Sequence, residues 1–86
     1  MPIASARLAR RVTADFGSTD EAATLLGEAG DSERVQAAVL LWARGDMTRL
    51  REGVSVAQQD WRDALVRAGL AGDDWSEQLD RELGCA

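Results

Sequence analysis

Asp31-Ser32-Glu33-Arg34-Val35-Gln36-Ala37-Ala38-Val39-Leu40-Leu41-Trp42-Ala43-Arg44-Gly45-Asp46 is the stretch that decides the fold of this 86-residue chain. Asp31 or Ser32 is placed to cap a helix, because short oxygen-bearing side chains accept from the free N–H groups of a first turn. From Val35 to Trp42 apolar residues wrap most of the helix circumference instead of forming one stripe. That pattern marks a central helix contacted from several sides. Gly45 is expected to stop this helix and Asp46 to cap the next.

Outward from this centre the chain reads as short helices separated by glycine stops and Ser/Asp starts, with no period-two strand pattern. Leu8, Val12 and Phe16 repeat at helical spacing up to Gly17. Ser18 with Glu21 has the spacing of a capping box, and Ala22, Leu25, Leu26 and Ala29 follow as far as a stop at Gly30. Met47, Leu50, Val54 and Ala57 line a fourth helix, in which Gly53 costs about 1 kcal/mol relative to alanine and is expected to bend the axis. Asp60-Trp61 starts a fifth, with Leu65 and Ala68 on its apolar face. Gly69-Leu70 is placed for a Schellman stop. Asp74-Trp75 starts a sixth, with Leu79 and Leu83, and Asp74 with Glu77 repeats the capping-box spacing. The expected architecture is all-α: a single compact bundle of about five to six short helices. Residues 1–86 form one helical domain, in which 1–17 is a basic amphipathic helix, 18–84 the helical core and 85–86 a tail.

Composition narrows the chemistry. The chain has no histidine, lysine, tyrosine or asparagine, and its only cysteine is Cys85. The commonest general base, the Schiff-base amine and any Cys/His metal set are therefore missing. No catalytic residue, cofactor or metal ligand is expected, and the chain reads as a non-enzyme. A net charge of −5 disfavours nucleic acid and anionic membranes as partners. No stretch approaches the ~20 apolar residues of a membrane span, and a lone cysteine fits a reducing cytoplasm. Arg7, Arg10 and Arg11 make the first fourteen residues basic, whereas Asp73, Asp74, Glu77, Asp80 and Glu82 make the last fourteen acidic. These ends are able to attract each other within one molecule or between copies.

The remaining motifs admit several chemical readings. Gly30-Asp31-Ser32 opening a helix in a small acidic chain looks like the phosphopantetheine attachment site of acyl and peptidyl carrier proteins, which implies modification at Ser32. Glu33 departs from that pattern, which places an apolar residue after the serine. Leu50-Arg51-Glu52-Gly53-Val54-Ser55 resembles a helix-turn-helix turn. Arg49, Glu52 and Gln59 then fall where small or apolar residues belong, and Asp60 and Asp63 face phosphate, so that reading fails. The acid pairs Asp60/Asp63, Asp73/Asp74 and Glu77/Asp80 sit in first turns, where carboxylates favour the helix dipole. Arg44, Arg49, Arg51, Arg62 and Arg67 form either mixed-charge solvated faces or forks for an acidic partner.

The run Asp31 to Leu41, Arg44-Gly45-Asp46, Asp60-Trp61-Arg62-Asp63-Ala64-Leu65, and Asp74-Trp75 with Leu79 and Leu83-Gly84 resembles a small uncharacterised α-helical protein family of high-GC Gram-positive bacteria. The likeness spans roughly residues 18–84. It implies a self-contained cytoplasmic helical protein and brings no functional residues with it. Trp42 is expected in the core. Trp61 and Trp75, in first turns, are expected to show one ring face and, with Arg62, to form a partner-binding face. The leading expectation is a non-catalytic protein-interaction or regulatory domain, binding another protein or itself. The alternatives are a carrier-like protein modified at Ser32 and a small-ligand-binding helical domain.

Overall fold

The computed structural model describes residues 3–17 and 20–84. These form six helices: α1 (Ala6–Phe16), α2 (Asp20–Gly27), α3 (Glu33–Ala43), α4 (Met47–Gln59), α5 (Trp61–Ala68) and α6 (Trp75–Leu83). Among the described residues there is no strand, and the fold is an all-α bundle. The radius of gyration is 11.3 Å, close to the value of about 12 Å for a compact chain of this length.

The central stretch behaves as its pattern requires. Val35, Gln36, Ala37, Ala38, Val39, Leu40 and Ala43 are buried in α3, and α3 touches every other helix. Leu8 and Val12 of α1, Ala22 and Leu26 of α2, Leu50 and Val54 of α4, Ala64 and Leu65 of α5 and Leu79 of α6 close over it. The missing side chain of Gly53 lets the α4 backbone approach α3. A β-carbon added at Gly53 would lie 3.1 Å from Val39 Cγ1 and 3.5 Å from Trp42 Cε3. Gly53 is therefore a crossing point between α3 and α4, and α4 continues as helix through it to Gln59.

Among the described residues, four helices start on side-chain caps. Ser5 accepts from Leu8 N and Ser32 from Val35 N, while Asp46 accepts from Thr48 N and Arg49 N and Asp60 from Arg62 N. The Schellman stop after α5 is formed: Leu70 N donates to the Leu65 carbonyl at 2.9 Å and Gly69 N to Val66 at 3.2 Å. Leu70 is itself buried. Ser18, and with it the proposed capping box, and Cys85 lie outside the described residues.

Two boundaries, one cap and one core assignment differ from the sequence reading. Helix α2 stops at Gly27 rather than Gly30, because Glu28, Ala29 and Gly30 turn back with i→i+3 bonds to Leu25, Leu26 and Gly27. Helix α3 stops before Gly45, because Arg44 is already left-handed at φ 51°, ψ 41°. Gly45 follows at φ 78°, where an added β-carbon would be 3.2 Å from the Asp15 carbonyl oxygen. Asp74 does not cap α6: its carboxylate accepts instead from Gln78 Nε2 at 3.0 Å. Trp42 is half-buried rather than core, since with Leu41 it lines an open cleft while Ala43 stays buried.

The oppositely charged ends pair within one chain. Arg7 Nη1 of α1 meets Asp80 Oδ1 of α6 at 2.6 Å, and Arg11 Nη1 donates to the Glu82 carbonyl at 2.9 Å. At Gly53, helix propensity and packing oppose each other: alanine gains roughly 0.5–1 kcal/mol in helix propensity, and overpacking against a buried valine costs roughly 1–3 kcal/mol. Gly53→Ala is therefore expected to lower the unfolding free energy by about 1 kcal/mol in urea titration, and Gly53→Val by more. A stabilised Gly53→Ala protein would show that the crossing has slack.

Candidate functional site

Each of the three tryptophans carries an arginine on its ring, a pairing that sequence spacing reveals only for Trp61. Arg62 Cζ lies 5.3 Å from the Trp61 ring centroid, Arg34 5.0 Å from that of Trp75 and Arg49 4.3 Å from that of Trp42. The three pairs are not equivalent. Arg49 Nε donates to the Trp42 carbonyl at 3.0 Å, and Arg34 donates through Nε and Nη2 to the Leu70 carbonyl at 3.0 and 2.8 Å. Arg62 has no such tether among the described residues. Trp75 is half-buried and packs on the core with Arg34 over it, whereas Trp61 is 49% exposed.

Trp61 borders a shallow depression of about 390 Å³. Ala29, Val35 and Ala57 supply its apolar surface, and Asp31, Ser32 and Arg34 its polar rim. Trp61, Arg62 and Ser32 are thus on one side of the molecule. Trp75 does not line the depression and meets it only through Arg34, which belongs to both. Arg34 gave no signal in the sequence, because its partners Leu70 and Trp75 are distant along the chain.

A second cleft of about 420 Å³ opens between α1, α3, α5 and α6. Trp42, Leu41 and Leu70 supply apolar surface, and Arg11, Arg44, Arg67 and Glu82 supply charge. Of the five arginines singled out by sequence, Arg49 and Arg62 stack on tryptophans, Arg51 pairs with Glu21 at 2.6 Å, and Arg67 Nε pairs with Asp63 at 3.2 Å. Arg44 has no partner among the described residues.

The most perturbed ionisable groups lie in neither cleft. Arg7 is buried, and its guanidinium holds Glu33 Oε2 and Oε1 at 2.9 Å each, Asp80 Oδ1 and the Gly84 carbonyl. Hydrogen bonds from Arg7 hold the Glu33 carboxyl below the usual glutamate range, opposed by burial and assisted by the Ser5 hydroxyl. The same bonds raise Arg7 further above its ordinary value. A carboxylate so engaged is a poor proton acceptor, and the cluster acts as a clamp joining α1, α3 and α6. Glu33, the residue that departs from the carrier pattern after Ser32, is thus occupied by the core. Other acids from the candidate pairs are likewise engaged: Asp60 caps α5, Asp63 pairs with Arg67 and Asp80 pairs with Arg7. Among the described residues no group of three or more acidic, histidine or cysteine side chains is placed to hold a metal ion, and no helix is long and apolar enough to cross a membrane.

No protein-family model, curated protein or solved structure matches the chain.

The clamp makes stability pH-dependent. Because the folded-state pKa of Glu33 is depressed, its contribution is fully present above the unfolded glutamate value of about 4.3 and is lost as pH falls through the lower folded value. Denaturant midpoints are expected to drop in acid for the wild-type protein, with a shallower drop for Glu33→Gln. Replacing buried Arg7 by leucine is expected to cost about 2–4 kcal/mol, and replacing exposed Arg10 by leucine less than about 0.5 kcal/mol. Equal effects at the two positions would contradict the clamp.

Proposed function

We propose that the protein is a non-catalytic helical interaction domain whose contact face centres on Trp61 and Arg62. The observation that carries this reading is the exposure of Trp61 beside an apolar depression. A tryptophan in that position offers a large rigid contact surface and an N–H donor, the combination enriched in interface anchors. Arg34 on the rim and Arg62 on the Trp61 ring favour a partner segment that presents an apolar side chain next to a carboxylate. Trp75 contributes indirectly, by stacking under Arg34 and fixing the rim. The lone cysteine and the absence of a membrane-crossing helix among the described residues fit a cytoplasmic setting.

The carrier reading has less support from the geometry. Ser32 is exposed on the rim of the same depression, but its hydroxyl accepts the cap bond from Val35, and the following Glu33 is held by Arg7. Incubation with a broad-range phosphopantetheinyl transferase and an intact-mass measurement separates the two readings, since an interaction domain gains no mass.

A photo-crosslinking amino acid at position 61 is expected to trap a discrete partner or a second copy in cells, whereas the same residue at exposed position 10 traps neither. Trp61→Ala is expected to weaken the captured complex by at least about tenfold and to leave the fold intact. A strictly monomeric protein that yields no crosslink from position 61 would sink the reading.

A further inference from the structure

The arginine-rimmed cleft between α1, α3, α5 and α6 has the make-up of an anion site. Arg11 comes from α1, Arg44 from the end of α3 and Arg67 from α5, so residues far apart in sequence meet at one concavity. Three guanidiniums and one carboxylate, that of Glu82, line it. Part of that charge is already used. Arg11 is bound to Asp15 at 3.1 Å and to the Glu82 carbonyl, and Arg67 Nε is bound to Asp63. Both terminal nitrogens of Arg67, and the whole guanidinium of Arg44, have no partner among the described residues.

Arg44 is also the one non-glycine residue with positive φ among the described residues. A left-handed backbone costs a residue with a β-carbon roughly 1–2 kcal/mol, and glycine or asparagine is the usual occupant of such a helix stop. The cationic side chain complements the C-terminal end of the α3 dipole, but a lysine or arginine one turn earlier would do so without the backbone cost. The apolar wall is specific as well. Trp42 lines the cleft, and its ring is fixed by Arg49, which stacks on it and bonds its carbonyl. A volume of about 420 Å³ falls in the lower part of the range of small-molecule sites, about 300–1,000 Å³.

We propose that this cleft binds a small organic anion, a phosphate or carboxylate on a compact aromatic or aliphatic body. Arg44 and Arg67 hold the charged group, Arg11 is a fixed cation at the rim, and Trp42 with Leu41 contacts the body. The guanidinium fork suits both oxyanions, because two parallel N–H donors match two oxygens of either. This site is separate from the Trp61 face, so either assignment stands if the other fails.

The test is a two-dimensional amide NMR titration of the full chain with phenyl phosphate, benzoate and, as the uncharged match, phenol. At least one anion is expected to give saturable shifts confined to residues 41–45, 67–70 and 78–82, with phenol at least about tenfold weaker. Arg44→Gly removes the guanidinium while suiting the left-handed backbone, and Arg67→Gln is an exposed change that leaves the fold in place. Each is expected to weaken the anion about tenfold. The relative strength of phenyl phosphate and benzoate then identifies the preferred oxyanion. The proposal is overturned by the absence of saturation with both anions up to about 10 mM, by phenol binding equally well, or by titrations that Arg44→Gly and Arg67→Gln leave unchanged. Shifts centred on residues 29–35, 57 and 61 overturn it too, since they place the anion at the other depression.

Discussion

A helix that is apolar around most of its circumference must be covered from several sides, and the rest of this fold follows from meeting that demand for α3. The other five helices run from 8 to 13 residues, lengths at which isolated helices are marginal in water. Each exists because it can lay an apolar stripe on α3. Gly53 sets how close α4 can come, with Val39 and Trp42 at the crossing. Caps at Ser5, Ser32, Asp46 and Asp60 then place the helix starts, so that backbone chemistry and core packing select the same boundaries.

Apolar cover alone does not specify which end of the chain docks where. Arg7 supplies that information. It is buried, yet it reaches Glu33 at the start of α3, Asp80 of α6 and the carbonyl of Gly84. Breaking a buried ion pair costs more than forming it gains over an apolar pair, so such a cluster penalises misdocked arrangements more than it stabilises the native one. It also consumes the charge asymmetry of the two termini inside one molecule, which leaves the end charges less available for joining copies. Arg44 and the outer nitrogens of Arg67 are among the cations that remain available elsewhere.

The fold was legible in the sequence where its causes are local. Cap residues, glycine stops and helical apolar spacing act over a few residues, and the helix count, the central role of α3 and the Schellman stop at Gly69-Leu70 could be read from them. The misreadings divide between competing local geometry and contacts between distant segments. Asp74 has the sequence of a cap but turns to Gln78, and the left-handed turn begins at Arg44 although Gly45 is the residue better suited to it. The attraction between the basic start and the acidic end, which includes Arg7 and Asp80, is readable from charge, but nothing nearby in sequence announces Glu33 as the second partner of Arg7. At the candidate site Trp61 and Arg62 were readable as neighbours on one helix start. Arg34 over Trp75, and the convergence of Arg11, Arg44 and Arg67, depend on tertiary packing and left no periodic trace.

The arginine pairing changes what three tryptophans mean in a chain of this size. Stacking a guanidinium on an indole is worth about 0.5–1 kcal/mol at exposed sites, and the further consequence depends on how the arginine is tied. Arg49 and Arg34 are anchored to the carbonyls of Trp42 and Leu70, so their rings are covered by cations that cannot leave without stranding a backbone acceptor. Those two pairs fix a cleft wall and a loop. Arg62 has no carbonyl to hold it, and it can swing from the Trp61 ring to a partner's carboxylate at the cost of one exposed stack. Of three chemically similar pairs, only the one at the start of α5 combines a half-exposed indole with a cation free to move. The difference lies in the tether, and it is what sets Trp61 apart as the proposed contact residue, while the rings of Trp42 and Trp75 are held under anchored arginines.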